Sequence, residues 1–316
     1  MKRASFRDRL KRHASSIFPE CGICEIEMVS RNPKRGKLET ATYKIKMWKE
    51  CKSNVIFAKR FGDSIYAEHK DDIEATLRLS RADGIKTPEL FGFYKDINSF
   101  IMKGAVGKSL FNMIAKRPIK RGFSSELRGY VSEVAKSVAA LQNKSLAGKE
   151  KIMYALTEDD IDSLDLSSAS RVKEILREAN STTYPVSRIY GDLKLSHVLV
   201  KGGEIQIIDC FPFSKCFCYI NPVAFSVSME LAQRVPYFSG KKFKEMRSIF
   251  YNEYQNSVDI DVDLSFMRKL EILKKCELLG YFSRSLQGRM PLLHRLSANM
   301  DSRYIRKSIE RDLKEV

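Results

Sequence analysis

The prevailing period of the apolar residues changes near residue 104 of this 316-residue chain. Before that point most apolar and polar positions alternate, the two-residue period of half-buried strands. After it they recur at intervals of three and four, the period of amphipathic helices. Strands gathered at one end of a chain and helices at the other predict an α+β fold. Cys24, Ile26 and Met28 alternate with polar residues up to a basic turn, 31–37, and Ala41, Tyr43, Ile45 and Met47 alternate after it. A second polar turn, 49–54, leads into Val55-Ile56-Phe57-Ala58-Lys59-Arg60-Phe61, completing a three-strand meander. A helix is predicted over 67–81, with Ile73, Thr76, Leu77 and Ser80 on one face. The Thr87-Pro88 break precedes two more strands, 90–94 and 99–102, so the first unit holds five.

The connector Lys103-Gly104-Ala105-Val106-Gly107-Lys108 marks the expected boundary. It divides the chain into a basic N-terminal arm, 1–20, a strand-rich unit, 21–104, and a helical unit, 105–316. In the last, 124–141 and 168–179 have helical spacing, and Asn221-Pro222 places proline at a predicted first helical position. Thr157-Glu158-Asp159-Asp160 resembles a capping box, with Asp where Glu is usual. No internal repeat is visible.

With 43% apolar and 10% aromatic residues the chain can build a sizeable core, which excludes a disordered or low-complexity protein. No uncharged apolar run approaches the roughly 18 residues of a membrane span. The basic N-terminus is followed by no apolar segment of the signal-peptide kind. A cytoplasmic protein is expected. Seven cysteines, an odd number, fit that compartment. Cys21 and Cys24 have the spacing of half a zinc site, but their only prospective complement is a Cys-x-Cys pair, Cys216 and Cys218, almost 200 residues away. They read as plain thiols.

One stretch departs from the helical pattern: Tyr190-Gly191-Asp192-Leu193-Lys194-Leu195-Ser196-His197, a predicted hairpin turning at Lys201-Gly202-Gly203, then Ile207-Ile208-Asp209-Cys210-Phe211. A hairpin brings its ends together, so Asp192 and Asp209 can face one cleft. One carboxylate beside an acceptor hydroxyl can take its proton, and a second can hold Mg²⁺ against nucleotide phosphates.

This segment resembles the catalytic and metal-binding loops of the protein-kinase-like superfamily, and within it the aminoglycoside-phosphotransferase-like branch of small-molecule and cell-surface sugar kinases. The resemblance covers roughly residues 20 to 290 and implies a bilobal fold, with a five-stranded antiparallel N-lobe and a mainly helical C-lobe. It implies ATP (or GTP) and Mg²⁺ as cofactors. Asp192 matches the catalytic base, Lys194 the lysine that contacts the transferred phosphate, and Asp209 the metal-binding aspartate. Lys59, in Phe57-Ala58-Lys59, matches the phosphate-gripping lysine. Glu74 or Glu68 would be its ion-pair partner, and Glu74 fits better, beside Ile73 and Leu77 deeper in the helix. Backbone groups of Lys103 and Ala105 would meet the base.

The sequence also departs from the pattern. His197 stands where the family has Asn, and an imidazole nitrogen suits Mn²⁺ better than Mg²⁺. Between two carboxylates its protonated form is expected to be favoured. Tyr190 replaces the usual His, no Gly follows Asp209-Cys210-Phe211, and no Gly-x-Gly-x-x-Gly precedes Lys59. Gly36 stands alone in a turn with four Lys/Arg, which can meet phosphates by charge.

Charge bears on the acceptor. With 56 Lys+Arg against 39 Asp+Glu the net charge is +17, which favours an anionic acceptor such as a sugar or glycolipid. The rival is a pseudokinase that binds nucleotide or a partner without transfer. A nucleic-acid partner lacks any readout motif, and scattered basic residues read as a solvated face. Phe6 and Leu10, one turn apart amid Lys and Arg, give the arm two readings: a frayed basic tail, or a contact with an anionic membrane surface.

Overall fold

A computed structural model describes residues 4–34, 37–49, 52–115, 124–209, 213–232, 240–287 and 292–316. Its first unit is a five-stranded antiparallel sheet. The strands are β1 (Gly22–Lys34), β2 (Lys37–Lys49), β3 (Lys52–Phe61), β4 (Leu90–Tyr94) and β5 (Ser99–Lys103), in spatial order β1-β2-β3-β5-β4. The first hairpin is longer than its basic residues suggested. Pairing runs on through Arg31↔Ala41 to Lys34↔Lys37, so most of the expected turn is strand.

Alternation gives the sheet two apolar faces. Tyr43, Ile45 and Met47 of β2, Ile56 and Ala58 of β3 and Ile101 of β5 share one small core with Leu10 and Ala14. The last two belong to α1 (Phe6–Ile17), which begins in a capping box between Ser5 and Asp8. Residues 6–17 are therefore a docked helix and not a frayed tail, and the apolar pair Phe6 and Leu10 packs on the sheet. Leu10 is buried, and the Phe6 ring packs on Tyr43 at 4.8 Å with the Arg60 guanidinium 4.3 Å above it. The opposite face of β3 carries Phe57, Lys59 and Phe61, and Phe61 joins the main core.

The single helix expected over 67–81 is two: α2 (Asp63–Glu68) and α3 (Lys70–Leu79). The backbone leaves the helical region at His69 (φ −107°, ψ 20°), and the His69 ring bonds Asp72 Oδ2 at 2.9 Å. Beyond β5 the connector docks by close approach. A Cβ on Gly104 would lie 2.4 Å from the Val55 carbonyl oxygen, and one on Gly107 (φ +152°) 2.6 Å from that of Val200.

The rest of the chain is mainly helical. After β6 (Lys108–Ser109) come α4 (Leu110–Ala115) and α5 (Ser125–Ser145), then β7 (Lys149–Glu150), α6 (Glu158–Asp162) and α7 (Ala169–Ser181). Next are β8 (Tyr184–Arg188), β9 (Val198–Lys201), β10 (Glu204–Ile207) and β11 (Lys215–Phe217). The chain closes with α8 (Ile220–Ala232), α9 (Gly240–Ser257), α10 (Leu264–Gln287) and α11 (Leu292–Asp312). The capping box of Thr157 and Asp160 is formed at α6, and Pro222 sits at the third position of α8 instead of the first. One core runs from Phe61, Leu90 and Phe100 of the sheet into α5, α7, α8 and α10. Among the described residues no helix is long and apolar enough to cross a membrane. Nor do any three His, Cys, Asp or Glu cluster to hold a metal: Cys21 lies in the sheet unit, while Cys216 and Cys218 lie in and beside β11.

Candidate active site

Gly202 and Gly203 both adopt positive φ (58° and 87°), which closes a two-residue turn between β9 and β10. Pairing then zips back to Ile207↔Val198, and the Ile208 amide donates to the His197 carbonyl at 2.8 Å. The hairpin thus delivers Asp209 beside His197. Gly191 (φ 80°) and Asp209 (φ 58°) take left-handed backbone at the two ends. A non-glycine there is uncommon and marks the point where the chain turns out of its strand.

His197 joins the two ends. Its Nδ1 lies 2.8 Å from the Asp192 carbonyl oxygen, which can only accept, so Nδ1 carries the hydrogen. In the neutral ring the Nε2 lone pair is then exposed, 4.0 Å from Asp209 Oδ2. The expectation of a protonated His197 is reversed. Burial of the ring, helped by the Lys194 ammonium, lowers its pKa below the ordinary 6.5, and the pull of Asp192 and Asp209 does not overcome this.

Both carboxylates are held by lysines. Lys59 Nζ donates to Asp209 Oδ1 at 2.6 Å, and Lys194 Nζ to Asp192 Oδ2 at 2.5 Å. Partial burial alone would raise the Asp209 pKa. The Lys59 ammonium, with His197 and Lys194 behind it, outweighs that and holds the carboxyl below its usual range. Asp192, Lys194, Asp209, His197 and Lys59 therefore come together in one cluster.

Glu74 does not join it. Lys59 finds its carboxylate in Asp209, while Glu74 and Glu68 are exposed, and no ion pair links either to Lys59 among the described residues. The helix face turned inward carries Asp72 and Thr76 instead. Asp72 Oδ1 accepts from Arg188 Nη1, and Thr76 Oγ1 accepts from the Phe213 amide at 2.8 Å. Sequence reading placed Thr76 on the inward helix face but passed over Asp72 and Arg188; the available signal was a lone arginine closing β8. In the connector, the Lys103 and Gly104 amides donate to the carbonyls of Glu89 (2.9 Å) and Val55 (2.8 Å). Tyr190 is loop packing, 1% exposed, its hydroxyl on Ser137 Oγ at 2.6 Å.

Asp192 and Lys194 open onto a cavity of about 630 Å³. Leu156, Leu164, Leu231, Leu278 and Phe282 give it apolar walls, and Tyr281, Asp160 and Glu277 also line it. Three carboxylates against one ammonium make the described lining acidic.

No protein-family model matches the sequence, and no curated protein matches it. Solved structures do. An amicoumacin kinase in complex with AMP-PNP, Ca²⁺ and its ligand superposes with a TM-score of 0.60 at 11% identity, over 95% of this chain and 93% of that one. A choline/ethanolamine kinase family protein from Mesorhizobium loti gives 0.55 at 11% identity, over 98% of both chains. An ADP-bound aminoglycoside phosphotransferase gives 0.52 at 14% identity, over 94% of this chain and 96% of that one. The chain has the bilobal protein-kinase-like fold of the aminoglycoside phosphotransferases and choline/ethanolamine kinases.

Proposed function

We propose that the protein is a phosphotransferase that moves the γ-phosphate of ATP to a hydroxyl group of a small molecule. The observation that carries this reading is the convergence of Lys59, Asp209, His197, Asp192 and Lys194 beside a cavity large enough for such an acceptor.

The residues present fit a divalent cation. Asp209 is ionised and already neutralised by a cation, the Lys59 ammonium, while its second oxygen faces the Nε2 lone pair of a neutral imidazole. Asp209 and His197 would hold Mg²⁺ or Mn²⁺, the remaining positions falling to phosphate oxygens and water. When bound, the metal neutralises and orients the nucleotide phosphates. Lys59 then turns from Asp209 to the phosphates. With the Lys103 and Gly104 amides engaged, the connector meets the base through the Lys103 carbonyl and the Ala105 backbone. Asp192 takes the proton of the acceptor hydroxyl as Lys194 leaves it to neutralise the moving phosphoryl group.

The acceptor cavity supports a different sign from the one suggested by +17. Among the described lining residues Asp192 is paired with Lys194 and Glu277 with Lys274 at 2.6 Å, and Asp160 adds a third carboxylate. This small acidic surplus, with the apolar walls, favours a hydroxyl compound with an apolar body and a cationic group over an anionic sugar or glycolipid.

A thermal-shift titration with ATP, with and without Mg²⁺ or Mn²⁺, tests the nucleotide half. Metal-dependent stabilisation is expected in the wild type and lost in Asp209→Asn, which keeps the fold. ADP release with amino alcohols, compared with anionic sugars, tests the acceptor half. Nucleotide binding indifferent to metal, with no turnover on any acceptor, would make the protein a pseudokinase.

A further inference from the structure

In this fold the helix beside the sheet has to be held against the catalytic and metal loops. Here that restraint does not run through Lys59, whose ammonium sits on Asp209. It runs through Arg188, the last residue of β8 and two residues before Tyr190. Arg188 Nη1 donates to Asp72 Oδ1 on α3 and to the Phe213 carbonyl at 3.2 Å. Phe213 lies four residues beyond Asp209, and its amide donates to Thr76 Oγ1, also on α3, at 2.8 Å. Thr76 in turn donates to the Asp72 carbonyl at 2.7 Å, and the His69 ring holds the second Asp72 oxygen at 2.9 Å. Both backbone groups of Phe213 are thus bound by α3 or by the arginine that α3 holds. The Phe213 ring, fully buried, packs edge-on against Tyr190 at 5.4 Å, next to Gly191 and Asp192.

We infer that Asp72 and Arg188 are positioning residues: their ion pair fixes α3, the exit of the metal loop and the entry of the catalytic loop as one unit. The pair is partly buried, with side chains 18% and 20% exposed, and a bond to one arginine nitrogen is shared between a carboxylate and a backbone carbonyl. A charge-assisted bond in such surroundings is directional and weakly screened. Removing the Asp72 charge takes from Arg188 the carboxylate that holds it on the Phe213 carbonyl. Phe213, four residues beyond Asp209, then loses that carbonyl bond while its amide stays on Thr76, and the aim of Asp209 loosens with it. Neither residue touches nucleotide or acceptor; they act through Asp209, as outer-shell partners of metal ligands do.

This inference rests on the metal-dependent phosphotransferase reading, and the experiment separates the two. Full-length wild type, Asp72→Asn, Arg188→Met and Arg188→Lys are titrated with Mn²⁺ at fixed ATP, following ATP-dependent thermal stabilisation and ADP formation. The expected result is a metal midpoint raised roughly ten- to hundred-fold in Asp72→Asn and Arg188→Met. Arg188→Lys, which keeps a cation able to donate to both partners, recovers part of the loss. ATP binding without metal stays at the wild-type level in all four. Asp72→Asn preserves side-chain shape and carries the test if Arg188→Met does not fold. A wild-type metal midpoint in Asp72→Asn, with or without a lower melting temperature, overturns the inference. A wild type that shows no metal dependence overturns the reading beneath it.

Discussion

Asp192 and Asp209 carry the same carboxylate, and the different duties proposed for them rest on their neighbours. Asp209 is clasped by Lys59 and faces an imidazole nitrogen, surroundings that keep it ionised and ready to exchange one cation for another. Asp192 lines the proposed acceptor cavity with the half-exposed Lys194 side chain as its counter-ion. Between them His197 is the least expected residue. Its Nδ1–H is fixed on the Asp192 carbonyl, so the neutral ring can offer only Nε2 toward Asp209. A borderline nitrogen donor prefers Mn²⁺ to the harder Mg²⁺, whereas an asparagine oxygen there serves Mg²⁺ well. His197→Asn is therefore expected to raise activity with Mg²⁺ relative to Mn²⁺ while leaving metal-free ATP binding unchanged. Parallel metal titrations of the two proteins measure this. An unaltered Mn²⁺-to-Mg²⁺ ratio would reduce His197 to a strut between loops.

Elements whose boundaries depend on neighbours in sequence were legible; bonds between distant elements were not. The meander, the β9–β10 hairpin with its Gly202-Gly203 turn and the Thr157 capping box all follow from local periods and turn chemistry. The break at His69 was hidden because residues 67–81 keep a helical apolar pattern across it. The partner of Lys59 was misassigned for a different reason. Among several carboxylates of equal charge the choice is made by tertiary packing, and Asp209 lies 150 residues away. The Asp72–Arg188 bond, spanning 116 residues, has no periodic signature at all. The connector shows the intermediate case, where glycine was visible but its purpose was not. Gly107 brings the chain onto β9 so closely that an alanine Cβ would press on the Val200 carbonyl, at a φ of +152° that alanine avoids. Gly107→Ala should destabilise the protein by about 1–3 kcal/mol, measured by urea unfolding. It should also weaken ATP binding if, as proposed, the connector carries the groups that meet the base. A neutral result on both would mean that β6 can pair with β9 from a shifted backbone.

At the scale of the molecule, a net charge of +17 says little about what any one site sees, because the charges buried between the helices are paired with one another. Glu230 of α8, 2% exposed, receives Lys275 of α10 at 2.7 Å and Arg311 of α11 at 2.9 Å, with Ser308 also donating to it. Lys275, 1% exposed, also reaches Asp312, and Arg247 of α9 pairs with Glu271 at 2.9 Å. Three carboxylates and three cations thus tie four helices together. Leu231, the neighbour of Glu230, and Glu277 and Leu278, just past Lys275, form part of the wall of the cavity onto which Asp192 and Lys194 open. Burial by itself would raise the Glu230 pKa, but Lys275, Ser308 and Arg311 pull it down to about 2 from an ordinary 4.5. A carboxyl depressed on folding stabilises the native state fully above its unfolded pKa, and the contribution disappears as pH falls through the folded one. The difference in unfolding free energy between wild type and Glu230→Gln should accordingly be constant from about pH 7 down to about pH 5, and shrink between there and about pH 2. Lys275→Met should cost more at neutral pH, roughly 3–5 kcal/mol, because it leaves a buried carboxylate without its nearest cation. Acid should relieve that cost, since protonation of Glu230 then removes the uncompensated charge. Urea unfolding of the three proteins across this range measures both slopes. A Lys275→Met penalty that does not diminish in acid would locate its origin in packing rather than charge, and the helical unit would be held together by its apolar core alone.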